Sequence, residues 1–175
     1  IDSNGHSYVV DRDNKTITIW NQQGQFIKRI GSSGSNQGQF NAPTDIAITE
    51  EEIYIVDQNN HRIQVLDLNG SFLREWGSHG SGNNKFNHPF SIALDMNGTI
   101  VSEVYIADRY NYKVKVFDAN GTFLRTIGEN QISESTGLGI GPDGLLYLSS
   151  CRANKIEVFE TNGTHVLSFS TSQNP

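Results

Sequence analysis

Several residue types are scarce in this sequence, and each scarcity argues against a particular structural feature. Cys151 is the one cysteine among 175 residues, so the chain has no internal disulfide. No run of roughly 18 apolar residues occurs, which predicts no membrane insertion through a hydrophobic helix. The first five residues include neither Met nor an apolar signal region, which indicates an excised segment or a mature fragment.

Positive charge is also in deficit. Lys and Arg number 13 against 19 Asp and Glu, which gives a formal net charge of −6. This disfavours nucleic-acid binding by the whole surface, although it does not exclude a local basic patch. Glycine is abundant, with 17 residues, whereas proline contributes 4. That balance is typical of many short strands joined by tight turns.

The sequence repeats itself at the length of a propeller blade. Four segments align on a turn glycine, at Gly24, Gly70, Gly121 and Gly163, spaced by 46, 51 and 42 residues. The second repeat contains four strand-like segments, 44–48, 53–57, 62–66 and 71–76, separated by turn residues. We name these strands a to d, from the propeller axis outwards.

The predicted fold is all-β, a β-propeller of four repeats in one domain, 1–175. The blades are expected near 6–31, 44–77, 90–128 and 136–170, with the first lacking its inner strand. Small residues on strand a (Ala47, Ala93 and Gly139) are expected near the axis. The extra length of the third repeat is assigned to its a–b turn, 97–103. Either further repeats exist, or copies pair, or the propeller is open or unusually small.

Two kinds of segment resemble the NHL repeat. They are the strand b to strand c segment Tyr54–Leu66 and the inter-blade segments Gly31–Pro43 and Gly77–Pro89. The resemblance covers nearly the whole chain and implies a propeller, usually of about six blades. Ser150 and His165 depart from it, since the other repeats carry Asp and Phe at those positions. The fold itself says little about function.

The resemblance also implies a structural role for the aspartates that end strand b. It suggests that they bond the backbone of the b–c loop and the following Arg62 or Lys113. Recurrence at one repeat position favours structure over catalysis. The aspartates concerned are Asp11, Asp57 and Asp108.

Basic and aromatic side chains concentrate in the b–c loops, whereas the opposite face receives acidic residues such as Glu50 and Glu103. The loops therefore form either a basic binding surface or a solvated rim. The candidate ligand-binding residues are His61, Arg62, Arg109, Tyr110, Tyr112, Lys113, Arg152 and Lys155.

No catalytic constellation, cofactor site or metal site is predicted. His61, His79 and His88 belong to loops on one face and could bind zinc if they converged. No carboxylate–histidine spacing accompanies them, so we interpret them as surface histidines. Cys151 has no histidine beside it in sequence to act as a base.

The leading hypothesis is a non-catalytic binding scaffold that presents loops to a protein, peptide or glycan, with protein or peptide preferred. The first alternative is binding of single-stranded RNA, as by some NHL domains of TRIM-type ligases. The second is a fragment of a metal-dependent propeller lyase or lactone hydrolase, and the third a fragment without its own function. Self-association is expected because unpaired strand edges promote it.

Five Asn-X-Ser/Thr motifs leave the compartment open. They suggest an extracellular or cell-surface glycoprotein, yet three of them occupy the c–d turn, where Asn-Gly is favoured by a positive φ. The motifs begin at Asn14, Asn69, Asn97, Asn120 and Asn162.

Overall fold

A computed structural model describes residues 1–170, which form short, mostly antiparallel strands. The strands are β1 (Ser7–Asp11), β2 (Thr16–Trp20), β3 (Phe26–Ile30), β4 (Ser32–Ser33), β5 (Gln39–Phe40), β6 (Pro43–Ile48), β7 (Glu52–Asp57), β8 (Arg62–Asp67), β9 (Phe72–Trp76), β10 (Pro89–Asn97), β11 (Ile100–Asp108), β12 (Lys113–Phe117), β13 (Phe123–Ile127), β14 (Ser135–Ile140), β15 (Leu146–Ser150), β16 (Lys155–Phe159) and β17 (His165–Ser170). Three single 3-10 turns join strands b and c, at Gln58–Asn60, Arg109–Asn111 and Cys151–Ala153. Within residues 1–170, no helix has the length and apolar character needed to cross a bilayer.

The strands form four sheets in which neighbours in sequence are neighbours in space. Blade one contains β1 to β3, blade two β6 to β9, blade three β10 to β13 and blade four β14 to β17. The short parallel pair β4–β5 lies in the loop before blade two. The predicted all-β architecture of four-stranded antiparallel sheets is confirmed, and the sheets do not close a ring within residues 1–170.

Blade three carries its extra residues in strands rather than in a loop. β10 and β11 pair as far as Asn97 and Ile100, with a register shift between Asp95 and Met96. The sequence-based assignment of 97–103 to a turn was therefore wrong for most of that segment. Val101 supplies an apolar side chain that packs against the core between blades two and three, which favours extension of the hairpin.

The core lies between neighbouring blades, so the sheets of the two middle blades are buried on both faces. In β7, Ile53 and Ile55 pack towards blade one, whereas Tyr54 and Val56 pack towards blade three. This alternation follows from the period of two along a strand. A further cluster around Tyr105 fills the space between blades three and four.

The inner strands are tied to each other by polar contacts. The carboxylate of Asp45 on β6 accepts hydrogen bonds from the Ser91 hydroxyl at 2.6 Å and the Ile92 N–H at 3.0 Å on β10. The Thr44 hydroxyl donates to the Phe90 carbonyl at 2.7 Å. These contacts fix strand a of blade two against strand a of blade three.

The outer strands are tied by cations that reach forward to the next blade. In each of the first three blades, a basic side chain on strand d donates to a main-chain carbonyl in the c–d turn of the blade that follows. The pairs are Lys28 with Leu68 at 3.0 Å, Arg74 with Ala119 at 2.9 Å and Arg125 with Thr161 at 3.1 Å.

The two arginines also pair with two carboxylates of the acidic face. Arg74 forms a two-pronged ion pair with Glu52, at 2.6 and 2.7 Å, and Arg125 does the same with Glu103. The hydrogen bonds from Arg74 lower the pKa of Glu52, in spite of its partial burial. The two carboxylates are therefore structural partners rather than a free acidic surface.

Candidate functional site

The b–c loops of all four blades share one backbone design. Each turn ends on a residue in the left-handed conformation, which brings the chain back into strand c. The four residues at this position are Lys15, His61, Tyr112 and Asn154, with φ between 50° and 57°. We call the surface formed by these loops, 12–15, 58–61, 109–112 and 151–154, the b–c face.

Asp57 fixes the b–c loop of blade two. Its fully buried carboxylate accepts the backbone N–H of Asn41 at 2.8 Å and the side-chain amides of Asn60 at 2.9 Å and Gln64 at 3.1 Å. Arg62 adds an ion pair through Nε at 2.8 Å. The backbone donor comes from the inter-blade loop and not, as the resemblance suggested, from the b–c loop.

Asp108 does the same in blade three with a different cation. It accepts the N–H of Asn87 and the amide of Asn111, both at 2.7 Å, and pairs with Lys115 at 3.0 Å. Lys113, which the resemblance placed there, instead pairs with Glu129 at 2.5 Å. Burial lowers the pKa of Lys115, and the Asp108 charge opposes that change. The suggested pairing of Asp108 with Lys113 was therefore wrong.

In blades one and four, the residue at the end of strand b makes different contacts. Asp11 bonds the backbone and side chain of Asn14, at 3.1 and 2.8 Å, and these bonds lower its pKa. In blade four the Ser150 hydroxyl lies 2.5 Å from the hydroxyl of Ser133 in the inter-blade loop. The buried ion pair is thus a property of the two middle blades.

The candidate ligand-binding cations differ in how far they are free to contact a ligand. Arg62 is buried, and each of its three nitrogens donates within the chain, to Asp57, Glu75 and the carbonyls of Asn36 and Gln39. Arg109 and Arg152 share one carboxylate, Glu134, at 3.1 and 2.8 Å. Lys155 is exposed at the start of β16.

The three histidines converge with a tyrosine and an arginine at the junction of blades two and three. The rings of His79 and His88 each lie 4.6 Å from that of His61, centroid to centroid. Tyr110 lies 5.2 Å from His88, and the Arg109 guanidinium lies 4.9 Å above the Tyr110 ring. The same guanidinium covers Phe90 at 5.3 Å. We call this continuous series of side-chain contacts, in the order His79, His61, His88, Tyr110, Arg109, Phe90, the aromatic ladder.

A hydrogen bond joins His61 and His88 within the ladder. The backbone N–H of His88 donates to Nδ1 of His61 at 3.1 Å, so the neutral His61 ring carries its proton on Nε2. Burial lowers the pKa of both His61 and His88, and their neighbouring histidines lower it further. Both rings are therefore neutral at neutral pH.

The convergence of imidazoles does not make a metal site in this arrangement. Within residues 1–170, no group of three or more His, Cys, Asp or Glu residues is placed to hold a metal ion. The His61 ring is tilted by 55° to His79 and meets His88 edge-on at 85°, and Nδ1 of His61 already accepts a hydrogen bond.

Sequence reasoning missed part of this site. It took His79 and His88 for surface histidines, and it did not consider Phe90 or the bridging Glu134. The available signal was the placement of three histidines on loops of one face. His61 and His88 both have a left-handed backbone, which the sequence did not predict.

Comparison with known proteins agrees with this architecture. A family profile described as a 6-bladed beta-propeller matches residues 2–81. No curated protein matched the chain. Among solved structures, virginiamycin B lyase from Staphylococcus aureus is 19% identical with a TM-score of 0.74, over 97% of this chain and 53% of that one. Hydrazine synthase from Kuenenia stuttgartiensis is 14% identical with a TM-score of 0.71, over 94% of this chain and 45% of that one.

The fold is therefore that of a β-propeller. The chain spans about half the length of the structures that it matches. At these identities the likeness shows the fold alone.

Proposed function

We propose that this chain is a non-catalytic binding module of NHL-type repeats whose b–c face binds a protein or peptide. The aromatic ladder is the observation that carries the proposal. It lies on loops held rigidly by Asp57 and Asp108, and such loops on a rigid scaffold are the usual place for recognition. Tyr110 and Tyr112 remain 37% and 42% exposed, so rings are available to a partner.

The chemistry of the ladder favours a partner with a planar side chain beside a carboxylate. Neutral imidazole and phenol rings provide stacking surface. Arg109 and Arg152 share the single carboxylate of Glu134, which leaves one positive charge in excess at the inner end of the ladder. A carboxylate of the partner can pair with the exposed guanidinium of Arg152.

Selection from a displayed library of random peptides tests this proposal. We expect selected peptides to combine aromatic and acidic residues. The Tyr110→Ala variant should weaken their binding about tenfold, since truncation of a central aromatic contact commonly costs over 1 kcal/mol. The matched control is Glu51→Gln in the exposed a–b turn of the opposite face, which should bind as the wild type does.

Two results would contradict the proposal. One is a set of selected peptides that bind equally well to the Tyr110→Ala protein. The other is salt-sensitive binding of single-stranded oligonucleotides in place of peptides, which would favour the RNA alternative.

As a second candidate function, the chain would be a fragment of a propeller lyase. The structural likeness to virginiamycin B lyase and the three converged histidines favour it. Such an activity would need a metal or a general base placed against the substrate. Calorimetric titration with Zn²⁺ discriminates: stoichiometric binding that is lost in His88→Asn would favour the lyase.

A further inference from the structure

We infer that protonation of His61 opens the aromatic ladder and so releases the bound partner in mildly acidic solution. The inference rests on the proposed function, because it concerns the regulation of the same site. It names His61 as the switch, and the hydrogen bond between His61 and the His88 backbone as the element that the switch controls.

The hydrogen bond needs the neutral form of His61. Its Nδ1 accepts the N–H of His88, and a protonated imidazole has no acceptor. Lys15 and Tyr112 hold the same turn position in blades one and three but carry no comparable acceptor. Within residues 1–170, a side chain at this position accepts an inter-blade loop N–H only at the junction of blades two and three.

Several charged or titratable groups face His61. His88 and His79 oppose its protonation, and burial opposes it more strongly. The carboxylates of Asp108 and Asp57 favour protonation, but each already forms an ion pair, with Lys115 and Arg62 respectively. Arg109 lies beyond His88 and adds a further positive charge, which lowers the pKa of His88.

The structure also determines where the ladder breaks. The inter-blade loop that carries His79 and His88 is held on blade three, by Asn87 on Asp108 and by Asn111 on the Gly80 carbonyl at 2.8 Å. His61 alone belongs to blade two. A positive charge on His61 therefore separates its ring from those of His79 and His88, while both blades stay folded.

The direction of the pH effect follows from the lowered pKa. A histidine whose pKa is below its ordinary value of 6.5 stabilises the closed form at pH values above 6.5. That stabilisation is lost as the pH falls from 6.5 through the lower pKa of the closed form. Affinity for the partner should thus be constant above about pH 7 and should fall on acidification.

The test compares the wild type with His61→Asn. Asparagine occupies the equivalent position in blade four, at Asn154 with φ 50°, so it tolerates this backbone. It offers an amide oxygen as acceptor and does not titrate. Two quantities are measured between about pH 7.5 and about pH 5.5. They are the hydrogen-exchange protection factor of the His88 amide in the free protein and the affinity for a selected peptide.

In the wild type we expect the protection factor and the affinity to fall several-fold over this range, because protonation of His61 favours the open ladder. In His61→Asn both should stay constant, and a remote control, His6→Asn, should behave as the wild type. Should His61→Asn fail to fold, His79→Gln removes one charge that opposes protonation of His61 and should shift the transition to higher pH.

The outcomes separate the two proposals. Suppose that the protection factor depends on pH in the wild type but not in His61→Asn, and that no peptide binds. The switch is then supported and the proposed function is rejected. Peptide binding that is independent of pH, or equally pH-dependent in the wild type and in His61→Asn, overturns the switch and keeps the function. A His88 amide whose protection factor does not change with pH also overturns it.

Discussion

At the scale of single residues, the end of strand b shows how one repeat position takes on different roles. Asp57 and Asp108 are fully buried with a cation each, whereas Asp11 is satisfied by Asn14 alone and Ser150 has no charge. A buried carboxylate that holds a loop and a cation together is expensive to remove, because its partners stay behind unpaired.

The Asp57→Ala substitution should therefore cost stability. It leaves Arg62 with Glu75 as its one acid partner and the Asn41 N–H without an acceptor, and the loss is expected to be about 3–5 kcal/mol. For a chain of this length that lowers the melting temperature by roughly 10 °C. Asp11→Ala, at the same repeat position, is the control and should melt close to the wild type. An unchanged melting temperature with lost ligand binding would show that Asp57 acts in recognition.

The sequence indicated a shared position at the end of strand b but not the partners of each residue there. Asp57 and Asp108 accept a backbone N–H of the inter-blade loop, whereas Asp11 bonds Asn14. The cation could not be assigned, because Lys113 and Lys115 both lie on strand c and only packing decides which of them is buried. The sequence placed the three histidines on loops of one face but did not predict the contacts between their rings.

At the scale of elements, strand a carries small side chains where neighbouring blades meet. Ala93 is 9% exposed, pairs with Tyr105 across the hairpin and belongs to the cluster between blades three and four. Its equivalents are Ala47 and Gly139. A larger side chain at this position would have to displace neighbours that already pack closely.

The Ala93→Phe substitution should overpack this strand and destabilise the protein by about 1–3 kcal/mol in chemical denaturation. The contrasting change is Gly139→Ala at the same repeat position. A Cβ there would meet no atom within 4 Å, so we expect a stability equal to or slightly above that of the wild type. Equal effects of the two substitutions would show that strand a is not confined by the neighbouring blades.

Strand order and the four-strand blade followed from turn glycines and alternation, whereas the length of the hairpin in blade three did not. The segment 97–103 contains Gly98 next to Thr99 and Ile100, which fits a loop or a tight turn equally well. The pairing of Asn97 with Ile100 confines the turn to Gly98 and Thr99 and places 100–103 in β11. Such strand boundaries depend on long-range strand pairing, which local composition does not indicate.

At the scale of the whole molecule, the first and last blades expose faces that the middle blades bury. Phe169 is 48% exposed, whereas its equivalents Trp76 and Ile127 are 8% and 1% exposed. On the opposite side Val9 is 48% exposed, whereas its equivalent Ile55 is fully buried. These two faces correspond to the two sides of an ordinary contact between blades.

As an isolated chain, the protein is therefore predicted to self-associate, with blade four of one copy against blade one of another. Exposed apolar sheet faces of this kind promote association. Size-exclusion chromatography with light scattering should show a dimer that Phe169→Glu weakens. Leu124→Glu, at a residue 44% exposed within blade three, should leave the dimer intact. A monomer at every concentration would contradict this prediction.

The forward-reaching cations of strand d have a consequence for how such a protein can grow. Lys28, Arg74 and Arg125 each find their acceptor in a main-chain carbonyl, at Leu68, Ala119 and Thr161, so the acceptor side needs no particular side chain. A tandem duplication of one blade would insert a unit that is both donor and acceptor from the start. Repeats joined in this way can change in number during evolution without compensating mutations in their neighbours.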